Sequence, residues 1–160
     1  MATLPEKHDG GVTEPEAVKL WLRLLTCSMT IEKRVRRRLA SQFETTLPRF
    51  DVLAALDRNP KGLTMGQLSQ ALLVSGGNLT ALVRQLEKQG LLEMKKAPTD
   101  GRSWIVRISP RGKRHFADMA VAHHHWIGEM LAGMSSDHNH ALYSLLAELK
   151  DSIASAPDDA

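Results

Sequence analysis

Residues 64–108, TMGQLSQALLVSGGNLTALVRQLEKQGLLEMKKAPTDGRSWIVRI, decide the fold. Thr64 is a capping type of residue, and Met65, Leu68 and Leu72 after it share one helical face. Ser75 is positioned to cap a second helix, with Leu79, Leu82, Val83 and Leu86 as its apolar stripe. That helix should end at Gly90, a residue that closes helices in the left-handed conformation. Beyond it, LLEMKK and SWIVRIS alternate as strands do, and Asp100-Gly101 is a hairpin-turn pair between them. The order is helix, short turn, helix, hairpin: a helix-turn-helix with a wing.

The flanks read as helices. Residues 1–13 are polar and Gly-rich and are expected to be a disordered tail. From about Glu14 to Phe43 the chain has no interior Gly or Pro, and Pro15 suits a first turn. The first half of that helix, AVKLWLRLLTCSMTI, is apolar on more than one face. In so small a chain this predicts a subunit interface. Its second half keeps one stripe, Ile31, Val35, Leu39 and Phe43. Pro48 opens PRFDVLAALDR, which Asn59-Pro60-Lys61-Gly62 breaks. Ser109-Pro110 opens a helix to about Leu131. Ser135 or Ser136 opens the last one, striped by Leu142, Leu145, Leu146, Leu149 and Ile153, before a frayed tail at 154–160.

The composition is that of a soluble globular protein, 42% hydrophobic and 24% charged over 160 residues. No apolar run approaches the roughly 20 residues of a membrane helix, and no secretory signal opens the chain, so the expected location is the cytoplasm. One cysteine excludes an intrachain disulfide framework. The net charge is +3, yet residues 84–114 hold nine Lys/Arg against three acids. A basic segment on a mildly acidic body predicts a localised polyanion contact.

Duplex DNA is the partner that suits this layout. A recognition helix must enter a major groove about 12 Å wide with small polar residues at its first turn. Ser75, Gly76, Gly77 and Asn78 meet that need, and the glycines let the backbone approach phosphates at the positive end of the helix dipole. Asn78, Thr80, Ala81 and Arg84 fall on the side away from the apolar stripe. Asn pairs with adenine, Arg with guanine, and Thr or Ala packs on a thymine methyl. Lys95 and Lys96 lie on the hairpin where phosphates would pass.

From about residue 17 to 153 the chain resembles the MarR family of winged-helix transcriptional regulators. The resemblance is carried best by LTMGQLSQALLVSGGNLTALVRQLEKQGLLEMKKAPTDGRSWIVRISPRGK and by the D-x-R motif Asp100-Gly101-Arg102. It implies that Arg102 enters a minor groove and that Asp100 orients it. It also implies a homodimer whose first and last helices interlock, here through Trp21, Leu24, Leu25, Leu142, Leu145, Leu146 and Leu149. The operator would then be a pseudo-palindrome with half-sites about 34 Å apart. One departure is Arg84, where many relatives carry an acid. The expected fold is thus mainly α with a small β-hairpin. A winged helix-turn-helix at 46–109 joins dimerisation helices at 14–45 and 110–153.

The resemblance further implies a repressor released by a small effector, an aromatic carboxylate or its coenzyme A thioester. Trp21, Met29, Phe50 and Met65 are candidate cavity walls, with Arg23 or Arg36 meeting the acid; plain core packing is the competing reading of that set. Cys27 is expected to be a small buried apolar residue, with redox sensing as the alternative. Three adjacent histidines, His123, His124 and His125, point about 100° apart on a helix and cannot close on one ion, so no metal is expected. No cofactor or catalytic motif is legible, and the chain is not expected to be an enzyme. A winged helix used purely for protein interaction is the alternative function.

Overall fold

Two antiparallel strands at the chain's basic centre gain a third partner from an upstream segment of only two residues. The computed structural model describes Leu4 and residues 15–74, 76–97 and 103–157, which divide into two units, residues 1–123 and 124–160. In the first unit, α1 (Glu16–Phe43) follows Pro15 and ends where Glu44 turns left-handed at φ 49°. Val35 and Leu39 are buried, as the stripe predicts. Val18, Leu20, Trp21 and Met29 on the same helix are exposed, Trp21 by 55%. Cys27 is exposed as well, which corrects the expectation of a buried thiol. The reason is its place in the apolar first half of α1, where Val18, Leu20, Trp21 and Met29 are exposed too.

α2 (Leu47–Asp57) is the centre of the core. Phe50 and the unbroken run Val52–Leu56 are all buried, so the helix is surrounded rather than amphipathic. The Phe50 ring lies 5.3 Å from that of Phe116 and 4.8 Å from that of His123. Asn59 then turns the chain, its Nδ2–H donating to Ala55 O at 2.8 Å. Gly62 follows at φ 85°. A Cβ there would lie 2.6 Å from Arg107 Cγ and 2.7 Å from Val106 O, so conformation and space both require glycine.

That close approach produces a strand absent from the sequence reading. β1 (Leu63–Thr64) pairs antiparallel with β3 (Trp104–Ile108), which also pairs with β2 (Leu92–Lys96), giving the order β1-β3-β2. The expected two-stranded hairpin is therefore a three-stranded sheet. Two residues are too few to show alternation. Leu63 opposes Val106, and the Arg107 Nε–H donates to Lys61 O at 2.8 Å.

Thr64 also caps α3 (Met65–Leu72). Gln67 N–H donates to Thr64 Oγ1 at 3.2 Å, and Thr64 N–H donates to Gln67 Oε1 at 2.9 Å, a reciprocal capping box. Leu73 closes α3 in the left-handed region at φ 52° with its side chain 93% exposed, a conformation costing a non-glycine residue about 1 kcal/mol. α4 (Gly76–Lys88) buries Leu79, Val83 and Leu86. It is followed by Gly90 at φ 70°, the closing glycine expected there.

α5 (Pro110–Leu131) begins in the first unit, where Phe116 and Met119 are buried. The second unit holds the end of α5 and α6 (Ser136–Ser155). Ser135 Oγ caps α6 by accepting the His138 N–H at 3.2 Å. No residue of α6 is buried, and Leu142, Tyr143, Leu145, Leu146 and Ile153 are exposed. Among the described residues no helix is long and apolar enough to cross a membrane, and no group of three His, Cys, Asp or Glu side chains could hold a metal ion.

One buried acid gives the first unit a pH response. Burial raises the Asp51 carboxyl above its ordinary value; Arg36 and Arg58 pull it down and Glu32 pushes it up. With the folded-state pKa above the unfolded one, the fold binds the proton more tightly. The contribution is therefore fully present below the unfolded pKa of about 3.9 and is lost as pH rises through the folded value. Asp51→Asn is expected to raise stability at pH 7 by less than about 1 kcal/mol, because Asp51 is only half-buried and solvent screens it. It should also remove the fall in urea midpoint that Asp51 contributes as pH rises through its folded-state value. A variant less stable at pH 7 with an unchanged profile would contradict this.

Candidate nucleic-acid interface

The outer face of α4 follows from the inner one. With Leu79, Val83 and Leu86 in the core, Gly77, Asn78, Thr80, Ala81 and Arg84 are all exposed. Positions 77, 80, 81 and 84 recur at three- and four-residue spacing, so they line one strip along the helix. Nothing lies within 4 Å of a Cβ built on Gly77, so glycine keeps that strip thin rather than fitting a crowded site. Gly76 opens the helix. The capping position Ser75 lies outside the described residues, as do Asp100, Gly101 and Arg102 of the wing tip.

The base of the wing is described. Lys95 and Lys96 are exposed near the end of β2, and the Lys95 ammonium is 3.9 Å from Glu93 Oε2. The ladder runs on past the strands through Ala97 N–H, which donates to Ser103 O at 2.9 Å. Lys96 is opposite Trp104 in the register, and its ammonium lies 6.0 Å from the centre of the indole. Trp104 is 43% exposed. Sequence reasoning does not single it out, because strand alternation groups it with Val106 and Ile108. At its end of the strand that face no longer meets the core, so the ring instead holds the lysine beside it by a cation–π contact worth about 0.5–1 kcal/mol at an exposed site.

α4 and the wing are locked together behind this surface. Ser109 N–H donates to Leu91 O at 3.0 Å, and Ser109 Oγ–H donates to Gly90 O at 2.7 Å. The same hydroxyl accepts Gly112 N–H at 2.9 Å. Ser109 is thus a buried polar residue with its bonds made. A Cβ on Gly112 would overlap the Leu91 carbonyl oxygen and lie 2.9 Å from Ile108 Cγ1. The turn after α4, the end of β3 and the head of α5 therefore meet within one hydrogen-bonded clasp.

The six effector candidates are scattered. Trp21, Arg23 and Met29 are exposed on α1, and Arg36 is held by Glu32 at 2.6 Å. Phe50 belongs to the core and Met65 is half-buried on α3. None of them lines the cavity of about 600 Å³ that opens between the end of α1, α2, the second half of α4 and the head of α5.

Known proteins resemble this chain in both sequence and fold. A family model described as the MarR family matches residues 44–103. The transcriptional activatory protein BadR of Rhodopseudomonas palustris is 31% identical over 134 residues, covering 81% of this chain and 76% of BadR. Among solved structures, Sco3205 of Streptomyces coelicolor, a MarR family transcriptional regulator in complex with DNA, superposes with a TM-score of 0.77. It is 16% identical and covers 95% of this chain and 96% of its own, a likeness of fold alone. PcaV from the same organism, a transcriptional regulator in complex with its natural ligand, gives a TM-score of 0.65 at 24% identity, covering 94% and 98%.

The clasp makes a direct prediction. Gly112→Ala should destabilise the protein by about 2–3 kcal/mol, since the added methyl meets backbone rather than a yielding side chain. Ser109→Ala should cost about 1–3 kcal/mol by leaving the Gly90 carbonyl and the Gly112 N–H without their partner. Urea denaturation measures both, and unchanged midpoints would refute the clasp.

Proposed function

The chain belongs to the MarR family of DNA-binding transcriptional regulators, which are not enzymes, and we propose that it works as a homodimer on a pseudo-palindromic operator. The observation that carries the reading is the exposed strip of α4 beside a basic wing. Ser75, Gly76, Gly77, Asn78, Thr80, Ala81 and Arg84 address the major groove, with Asn78 and Arg84 as the hydrogen-bonding readers of bases. Lys95 and Lys96 take phosphates, and Arg102, steered by Asp100, enters the flanking minor groove. The site of action is the cytoplasm.

Dimerisation is supported by the apolar side chains left uncovered on α1 and α6: Val18, Leu20 and Trp21 on one, Leu142, Leu145 and Leu146 on the other. Exposed apolar patches of this kind mark association surfaces. The expected effect on transcription is repression, relieved by a small effector such as an aromatic carboxylate or its coenzyme A thioester. Trp21, Arg23, Met29, Arg36, Phe50 and Met65 are the residues that the family resemblance suggests for it. A ligand complex of the similar PcaV supports small-molecule control. Activation is the second reading, because the similar BadR is by name an activator. Either sign uses one mechanism: a ligand that favours one spacing of the two reading heads shifts the DNA-competent population.

The test is fluorescence anisotropy of the protein on DNA flanking its own gene, across a salt series. A binding isotherm that weakens steeply with salt is expected, with a log–log slope of about −0.9 per phosphate contacted. Arg102→Ala should lower affinity and weaken discrimination at A·T-rich flanks. Wild-type affinity in that variant would sink the wing assignment. No binding at any salt would leave the protein-interaction reading in place.

A further inference from the structure

We propose that Leu73, the apolar side chain in the turn that leads into α4, packs against a thymine methyl at the edge of the major groove. Nothing in the fold accounts for a leucine at this position. Three hydrogen bonds close the turn. Leu73 N–H donates to Gln70 O at 3.3 Å, Val74 N–H donates to Ser69 O at 3.2 Å, and Ser69 Oγ–H donates to Val74 O at 2.5 Å. The first two are the pair that ends a helix on a left-handed residue, where glycine is the usual occupant. Leu73 holds that place at φ 52° without the freedom of glycine. Burial of the side chain would offset the cost, but it is 93% exposed. Turns of this kind are often fastened by an apolar contact between the second residue beyond the helix and its last turn. Here Ser69 stands in that last turn and bonds the Val74 carbonyl instead, and the Val74 side chain is exposed too. A strained conformation that carries an exposed apolar side chain points to a role outside the fold.

The surroundings of the turn select the partner. Leu73 lies just ahead of Gly76, which opens α4. Nothing lies within 4 Å of a Cβ built on Gly77, so that end of the helix is thin and open to a groove. Residues 62–83 contain no Asp, Glu, Lys or Arg, so the turn brings no acid toward phosphates. The exposed side chains nearest in sequence on α3 and α4 are polar: Gln67, Gln70, Asn78 and Thr80. Leu73 and Val74 are thus an isolated apolar point, far smaller than the contiguous patches that mark protein-binding surfaces. One leucine suits one methyl, and the major groove presents a methyl on each thymine. The contact continues the α4 strip by one position beyond the helix, and it rests on the DNA-binding reading of that strip.

Leu73→Gly tests the contact, because its two expected effects have opposite signs. Glycine relieves the left-handed conformation, so the urea midpoint should rise. It also removes the side chain, so affinity for a duplex selected by the full-length protein from a random pool should fall about fourfold, the worth of one buried methyl. Replacing the thymines of that duplex by uracil, one at a time, removes the same contact from the DNA side. One replacement should weaken wild type about fourfold and leave Leu73→Gly unaffected, as two halves of one contact require. The proposal is overturned if Leu73→Gly binds as tightly as wild type, or if no thymine distinguishes the two proteins. A lowered urea midpoint would also overturn it, since it would show a leucine packed within the fold. So would a changed oligomeric state in sedimentation with DNA affinity intact, which would seat another copy on Leu73. Where wild type binds no duplex, the DNA-binding reading falls and this contact with it; where wild type and variant bind alike, the contact falls alone.

Discussion

The Leu91 carbonyl is the point from which the proposed DNA-facing surface takes its geometry. It accepts the Ser109 N–H and leaves no room for a side chain on Gly112. One peptide group therefore fixes the exit of the recognition helix, the end of the wing and the first turn of α5. Gly90 makes the turn left-handed, and the Ser109 hydroxyl bonds on both sides of it. With that junction set, the angle between α4 and the wing is not free, and the exposed strip of α4 and the basic strand stay in fixed relation.

The second constraint is an imbalance of surface. The first unit has a dry centre in α2, Leu39, Leu68, Leu86 and Val106, while the apolar residues of α1's first half and of α6 stay exposed. At about 25 cal/mol per Å² of apolar area, such surfaces favour association over solvation. In the proposed homodimer they are the complement of the core: what the protomer cannot cover, a second copy does. Cys27 sits on that same stretch of α1, which is why an apolar context in sequence does not translate into burial within one chain.

The helices are legible in the sequence because their punctuation is strong. Pro15, Pro48, Thr64, Ser135 and Pro110 stand at helix starts and Gly90 beyond a helix end, each for a reason local to a few residues. The exposed strip on α4 is legible for the same reason, since periodicity alone turns Asn78, Thr80, Ala81 and Arg84 outward. What escapes depends on contacts between distant segments. β1 is two residues long and exists because β3 offers an edge. The steric role of Gly112 needs Leu91, 21 positions upstream. The cavity joins residues 43–49, 82–91 and 111–115, three stretches with no shared pattern. Trp104 is visible as a strand residue, but its contact with Lys96 depends on the register across the hairpin.

In the proposed homodimer, two α4 helices related by a two-fold axis should impose their symmetry on DNA. Selecting binders from a random-sequence duplex pool with the full-length protein, then sequencing them, measures this whatever the operator is. The predicted result is an enriched pseudo-palindrome whose half-sites are centred about 10 base pairs apart. Enrichment of a lone asymmetric half-site, or no enrichment at all, would contradict it.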